Sequence, residues 1–273
     1  MMDVRSISFR YQKDWVLQDI SFQVGKGELI GVIGPNGSGK TTLLKILYRL
    51  LPLQQGEVLY ERVPLRKMSR TDIAKRIAVV AQETYPLFPF RVIEVVLMGR
   101  SPYLGSLMFE SEKDLEIARK AMEWTETSNF SERPIDELSG GERKRVFIAR
   151  ALAQETEMIL LDEPTANLDI HHQIEFLDLI LSLNREKGLT IIMATHDMNL
   201  ASEFCDRLIL LREGRIFQMG APKEVITQET IETVYGCAVW VDQNPISGMP
   251  RISLLRREKH EIQTLGRDRT GTK

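Results

Sequence analysis

Polar and apolar residues alternate near the start of the chain. Ile7, Phe9 and Tyr11 are separated by Ser8 and Arg10, and Ile20, Phe22 and Val24 by Ser21 and Gln23. A period of two buries one face of a strand and wets the other, so both segments predict half-buried antiparallel strands. Further along, apolar positions run together instead, over residues 29–33, 158–161, 190–194 and 208–211. Such runs suit strands covered on both faces. Helical patterns lie between them, at 42–51, 143–153 and 171–185. Strand and helix therefore alternate as in an α/β domain.

Residues 84–137 break that rhythm. The stretch opens with Tyr85, Pro86, Phe88, Pro89 and Phe90, then offers Ser111 as a helix cap. Asp114 or Glu112 suits the first turn of that helix, and Leu115, Ala118 and Met122 share one face. The region predicts a mainly helical insert, at about 84–138. Beyond Arg256 the chain turns polar and charged, so residues 256–273 are expected to form a mobile tail after a domain spanning 1–255.

Composition narrows the classes. With 273 residues and a net charge of -2, the chain is no binder of nucleic acid by bulk charge. Cys205 and Cys237 cannot build a disulfide framework, and neither belongs to a close pair with zinc-ligand spacing, which points to a reducing compartment. The longest stretch free of Asp, Glu, Lys and Arg is residues 29–39, far short of the ~20 that a membrane helix needs. The N-terminus has no apolar core like that of a signal peptide, so a cytoplasmic location is expected.

Chemistry enters at Gly34, Pro35, Asn36, Gly37, Ser38, Gly39, Lys40 and Thr41, a Walker A pattern followed by Thr42. It stands where it must, after an apolar strand and before a helix. Glycines let successive N–H groups turn inward, and the helix adds its positive end to the same spot. Polyphosphate is the natural guest. Lys40 would bring a charge to the β and γ phosphates, and the Thr41 hydroxyl would ligate Mg²⁺.

The run 158–161 ends in Asp162 and Glu163. Two carboxylates inside a sheet would be costly, so both belong at its C-terminal edge, beside the cradle. Asp162 suits the Mg²⁺ shell, and Glu163 suits a general base facing the attacking water. Taken alone, such a pair equally suits a loop start or helix cap. His196 reaches the same edge after residues 190–194, and Gln82 follows the run 77–81; neither is decisive alone. Ser139, Gly140, Gly141 and Glu142 precede the helical pattern at 143. They could form a second anion site, or Ser139 could simply cap the helix.

Taken together, these motifs with the turn Asn167-Leu168-Asp169 resemble the ATP-binding cassette ATPases, in order and spacing, over residues 4–256. The resemblance implies a P-loop NTPase with a RecA-like core, an antiparallel β lobe and an inserted helical lobe. It also implies ATP and Mg²⁺ as cofactors and a head-to-tail homodimer with two ATP molecules at the seam. Each site would join the cradle of one chain to Ser139, Gly140, Gly141 and Glu142 of the other. In that family pattern Tyr11 stacks on adenine, Gln82 contacts Mg²⁺ and senses a membrane partner, and His196 holds the γ-phosphate. Asp169 would link the two sites. The flanking text at 75–82, 96–100 and 234–250 resembles the subgroup that serves importers of iron-siderophore complexes, haem and cobalamin. An integral membrane permease would then be the direct partner and an extracytoplasmic substrate-binding protein an indirect one. The chain would sit at the cytoplasmic face of the membrane, with the permease docked on the helical insert near Gln82 and Phe88. The rival reading is a soluble assembly ATPase, such as one for iron-sulphur clusters.

Overall fold

The computed structural model describes residues 1–82, 89–104 and 109–256. Strands β1 (Met2–Arg10) and β2 (Trp15–Val24) pair antiparallel, as the alternation predicts. Left-handed residues Ser6 (φ 45°) and Asp19 (φ 51°) accompany shifts of register between them. The irregularity brings Val4 and Ile7, three positions apart, onto the same buried face. Tyr11 departs from the pattern: it lies beyond the end of β1 and is 57% exposed.

Strand β3 (Leu29–Ile33) leads through the glycine-rich loop into helix α1 (Lys40–Leu47). The helix ends before residue 51 because the chain turns left-handed at Arg49 (φ 58°). Strands β4 (Gln55–Tyr60) and β5 (Val63–Pro64) complete an antiparallel sheet in the order β2-β1-β4-β5. Helix α2 (Arg70–Ala74) and strand β6 (Ile77–Val80) follow.

A helical lobe comes next, as the broken rhythm of the sequence predicts. Helices α3 (Val92–Leu97) and α4 (Glu112–Trp124) both pack on α5 (Gly140–Ala153). Ser111 caps α4 in a capping box with Asp114. Asp114 also accepts from Arg100 Nε at 2.9 Å, while Arg100 Nη1 reaches the Ala153 carbonyl at 2.7 Å and Glu155 at 2.8 Å. The Ser111 hydrogen bonds and the Arg100 guanidinium hold the Asp114 carboxyl at about 2. A buried charge is tolerable only when its bonds are met in this way, and here they tie α4 to the C-terminus of α5. Tyr85, Pro86 and Phe88 lie outside the described residues, as does 257–273 of the tail.

The second half builds the larger sheet from β7 (Met158–Asp162), helix α6 (Ile170–Lys187), β8 (Thr190–Ala194), helix α7 (Met198–Phe204), β9 (Arg207–Arg212) and β10 (Arg215–Gly220). Among the described residues its order is β10-β9-β3-β8-β7-β6, parallel except for the β10 edge. Leu29 and Ile33 join the hydrophobic cluster on one face of this sheet, and Ile30 and Val32 the cluster on the other. That two-sided burial explains the unbroken apolar runs. The chain then adds helices α8 (Pro222–Val225) and α9 (Gln228–Tyr235) and a hairpin of β11 (Val239–Gln243) and β12 (Pro250–Leu254). The hairpin is sewn to α7: the Asn199 amide exchanges two hydrogen bonds with the Ile252 backbone, and Ser202 donates to the Pro250 carbonyl at 2.7 Å. Among the described residues, no helix is long and apolar enough to cross a membrane.

Register fixes where the site lies. Val32 and Asp162 both pair with Ala194, and Leu161 with Val80. The loops after β3, β7, β8 and β6 therefore leave the sheet at the same C-terminal edge, the edge at which open α/β sheets bind ligands.

Candidate functional site

Gly34 makes the first turn out of β3 at φ 147°. A Cβ there would stand 2.3 Å from the Leu211 carbonyl oxygen of β9 and 2.8 Å from Ser38 Oγ, so only glycine fits. Gly39 (φ 103°) is the N-cap of α1 and provides no side-chain cap, and the first turn holds no acid. The N–H groups at that end are thus left to an external acceptor. Ser38 Oγ is buried without a hydrogen-bond partner. Lys40 curls back over the loop, donating to the Gly34 and Pro35 carbonyls at 2.8 and 3.1 Å. Burial lowers its pKa, partly opposed by the charges of Glu163 and Asp162.

The cradle opens into a cleft of about 770 Å³. Pro35, Asn36, Gly37 and Thr42 line it, with Gln82, Glu163 and His196 facing them from the neighbouring strand ends. Thr41 Oγ1 donates to Asp162 Oδ1 at 3.0 Å. Burial raises the Asp162 pKa, and the Thr41 hydrogen bond works against that shift. Glu163 sits in the left-handed region (φ 47°), where non-glycine residues are uncommon and strain gathers at functional sites. That turn brings Glu163 Oε2 to 3.0 Å from His196 Nδ1 and 3.5 Å from Gln82 Nε2.

The arrangement fits a magnesium-bound polyphosphate. An orphaned hydroxyl at Ser38, an uncapped helix end and a buried lysine await an anion, while Thr41 and Asp162 are hard oxygen donors suited to Mg²⁺. The Gln82 amide leans on Glu163. Tyr11 meets Thr42, Oη to Oγ1 at 3.3 Å, and packs edge-on against Phe9.

Ser139, Gly140, Gly141 and Glu142 stand apart from this cleft. The helical pattern that begins at 143 is in fact a helix from Gly140, so both glycines lie within its first turn rather than before it. Of the two uses left open for Ser139, the chain displays the cap: Glu142 N donates to Ser139 Oγ, and Ser139 N to Glu142 Oε2 at 2.8 Å. Asp169 caps α6 by accepting from His172 N at 2.9 Å.

Two residues that line the cleft have no counterpart in the sequence reading, Val16 and Tyr235. Tyr235 comes from α9, far along the chain, and its buried hydroxyl has no hydrogen-bond partner. Burial pushes its pKa up to about 12. The resemblance at 234–250 touches this residue without giving it a role.

Comparison with known proteins decides the family. The model of the family described as ABC transporter matches residues 17–166. This chain belongs to the ABC transporter family. The ferric enterobactin transport ATP-binding protein FepC of Escherichia coli (strain K12) is 39% identical over 92% of this chain and 93% of its own. The petrobactin import ATP-binding protein FpuD of Bacillus anthracis is 36% identical over 91% of each. Among solved structures, the dimeric bacterial ABC transporter cassette MJ0796 superposes with a TM-score of 0.70 at 29% identity, over 81% of this chain and 98% of that one. The same cassette has been solved as a dimer in a post-hydrolysis state bound to ADP and Pi. The ABC ATPase fold is therefore shared throughout the length of this chain that they cover.

Proposed function

We propose that the chain is the ATP-binding and hydrolysing subunit of an ABC importer for iron-siderophore complexes, haem or cobalamin. It acts as a head-to-tail homodimer at the cytoplasmic face of the membrane. One observation carries this reading: the Lys40 loop, the Thr41–Asp162 pair and the Glu163–His196 pair meet at one sheet edge. The transport and import roles in the names of the two relatives favour it over an assembly ATPase.

The loop N–H groups and Lys40 hold the triphosphate, and Tyr11 offers its exposed ring to adenine. Thr41 and Asp162 would hold Mg²⁺, and Gln82 would contact it. When bound, the metal neutralises charge on the phosphate oxygens. Glu163 takes a proton from the attacking water. His196 reaches the same carboxylate through Nδ1, at 3.0 Å, and its ring is the group that holds the γ-phosphate. Across the dimer seam the partner's Ser139, Gly140 and Gly141 close over the phosphates, and Asp169 lies beside that seam. Closure strengthens each contact: a charge pair at 4 Å is worth about 1 kcal/mol in water and about 4 at an effective dielectric of 20. Loss of the γ-phosphate loosens the clasp, and the opening is passed to a permease docked on the helical lobe beside Gln82. The cargo is selected by the permease and its extracytoplasmic binding protein.

Glu163→Gln tests the reading. It keeps ATP binding, slows hydrolysis by about 10²–10⁴-fold, and holds the chain as an ATP-loaded dimer in light scattering. A variant that hydrolyses ATP at the normal rate, or stays monomeric at saturating ATP, refutes it.

A further inference from the structure

A short loop, residues 164–168, joins Glu163 to the Asp169 cap of α6. Within it the carbonyls of Glu163 and Thr165 accept from the N–H groups of Ala166 and Leu168, at 3.2 and 3.3 Å. The alternate carbonyls, those of Pro164 and Ala166, accept from the Lys144 ammonium at 2.5 Å each. Lys144 stands early in α5, the helix that begins at Gly140. The same helix end touches the far end of the loop. A Cβ on Gly141 would lie 2.4 Å from His172 Cδ2, and the His172 ring bonds Asp169 through Nδ1 at 2.9 Å. Contacts at both ends thus join α5 to the segment that begins with Glu163. Lys144 is half-buried, and burial lowers its pKa to about 8. A desolvated ammonium needs acceptors, and here backbone carbonyls supply them.

We propose that Lys144 is a positioning residue for Glu163: it fastens the 163–168 loop to α5, so that movement of the Ser139–Glu142 turn reaches the general base of the same chain. This rests on the role of Glu163 given above. The alternative is that the Lys144 stem merely packs. Lys144→Met keeps the stem and removes the donors, whereas Lys144→Arg restores donors in a different shape.

Steady-state ATP hydrolysis by the full chain distinguishes the two. Lys144→Met should lower kcat about tenfold while the KM for ATP stays within about twofold, and Lys144→Arg should recover kcat to within about threefold of the unaltered chain. Two outcomes overturn the latch alone: a Lys144→Met kcat within about twofold of normal, or a loss that arginine leaves unrepaired. A fall in melting temperature together with a weakened KM in Lys144→Met also overturns it, because the residue is then structural. An unaltered chain that hydrolyses no ATP sinks the Glu163 reading and the latch together, before any variant is made.

Discussion

Helices α1 and α5 both have a glycine at their N-terminal end, Gly39 as the cap of α1 and Gly140 as the first residue of α5, and their first turns are finished in opposite ways. Helix α1 starts behind Gly39, without a side-chain cap and without an acid, and its end opens on the cleft with Lys40 folded over it. Helix α5 starts behind Ser139, whose hydroxyl caps the first turn while Glu142 closes back on the Ser139 N–H. The first is a helix end left open for an anion. The second already satisfies part of its own backbone, so phosphate must compete there with a cap the chain supplies. One chain thus carries an open helix end over the cleft and, separately, a turn that closes on itself.

Glycine replacement gives the sharpest break between the two ends. Gly34→Ala places a methyl group 2.3 Å from the Leu211 carbonyl oxygen, in a left-handed backbone. It should cost about 3 kcal/mol or more of stability in urea titration. Gly140→Ala meets its first neighbour, Leu168 Cδ2, at 3.9 Å. It should leave stability unchanged or raise it by about 0.5–1 kcal/mol through helix propensity. Equal losses at the two positions would erase the distinction.

Next in size is the charge at the open end. Lys40→Ala should weaken ATP binding by roughly 100-fold, about 2.7 kcal/mol, in titration calorimetry. Ser139→Ala should leave the ATP affinity of the single chain unchanged. Its own effect is the lost cap, about 1 kcal/mol of stability read from the denaturant midpoint. A large drop in single-chain affinity would show that the α5 turn serves its own nucleotide after all.

The smallest effect concerns Asp162, whose folded pKa is raised above its ordinary value by burial. For such a group the stabilising, protonated form is complete below the unfolded pKa of 3.8 and is lost as pH rises through the folded value. At neutral pH the ionised carboxylate is therefore a liability to the nucleotide-free fold. Asp162→Asn should raise the melting temperature slightly at pH 7 without nucleotide, and the gain should vanish as pH falls below 3.8. The same variant should lose the stabilisation that ATP and Mg²⁺ give the unaltered chain. A lower melting temperature without nucleotide would mean that the Thr41 bond outweighs the burial.

Much of this was legible in the residues themselves. The alternation at Ile20, Phe22 and Val24 foretold β2, and the unbroken runs foretold β3, β7, β8 and β9, because strand burial is written locally in the side chains. Other features were not. Nothing near Val239 or Ile252 announces a hairpin held by Asn199 and Ser202, some fifty residues upstream along the chain. Tyr235 reaches the cleft only because α9 folds back to it, and Lys144 reads as one more cation in a basic helix until its two carbonyl partners are seen.

By itself, then, the sequence determined the turn-and-helix chemistry of Gly34 to Thr42, the strand that delivers Asp162 and Glu163, and the family. Those depend on backbone freedom, side-chain type and short spacing, which neighbouring residues carry among themselves. Tertiary structure alone decided that Thr41 bonds Asp162, that His196 and Gln82 converge on Glu163, and that α5 grips the loop behind it. Such contacts join residues from 20 to more than 100 positions apart, and only the register of the parallel sheet and the packing of α5 bring them within hydrogen-bond reach.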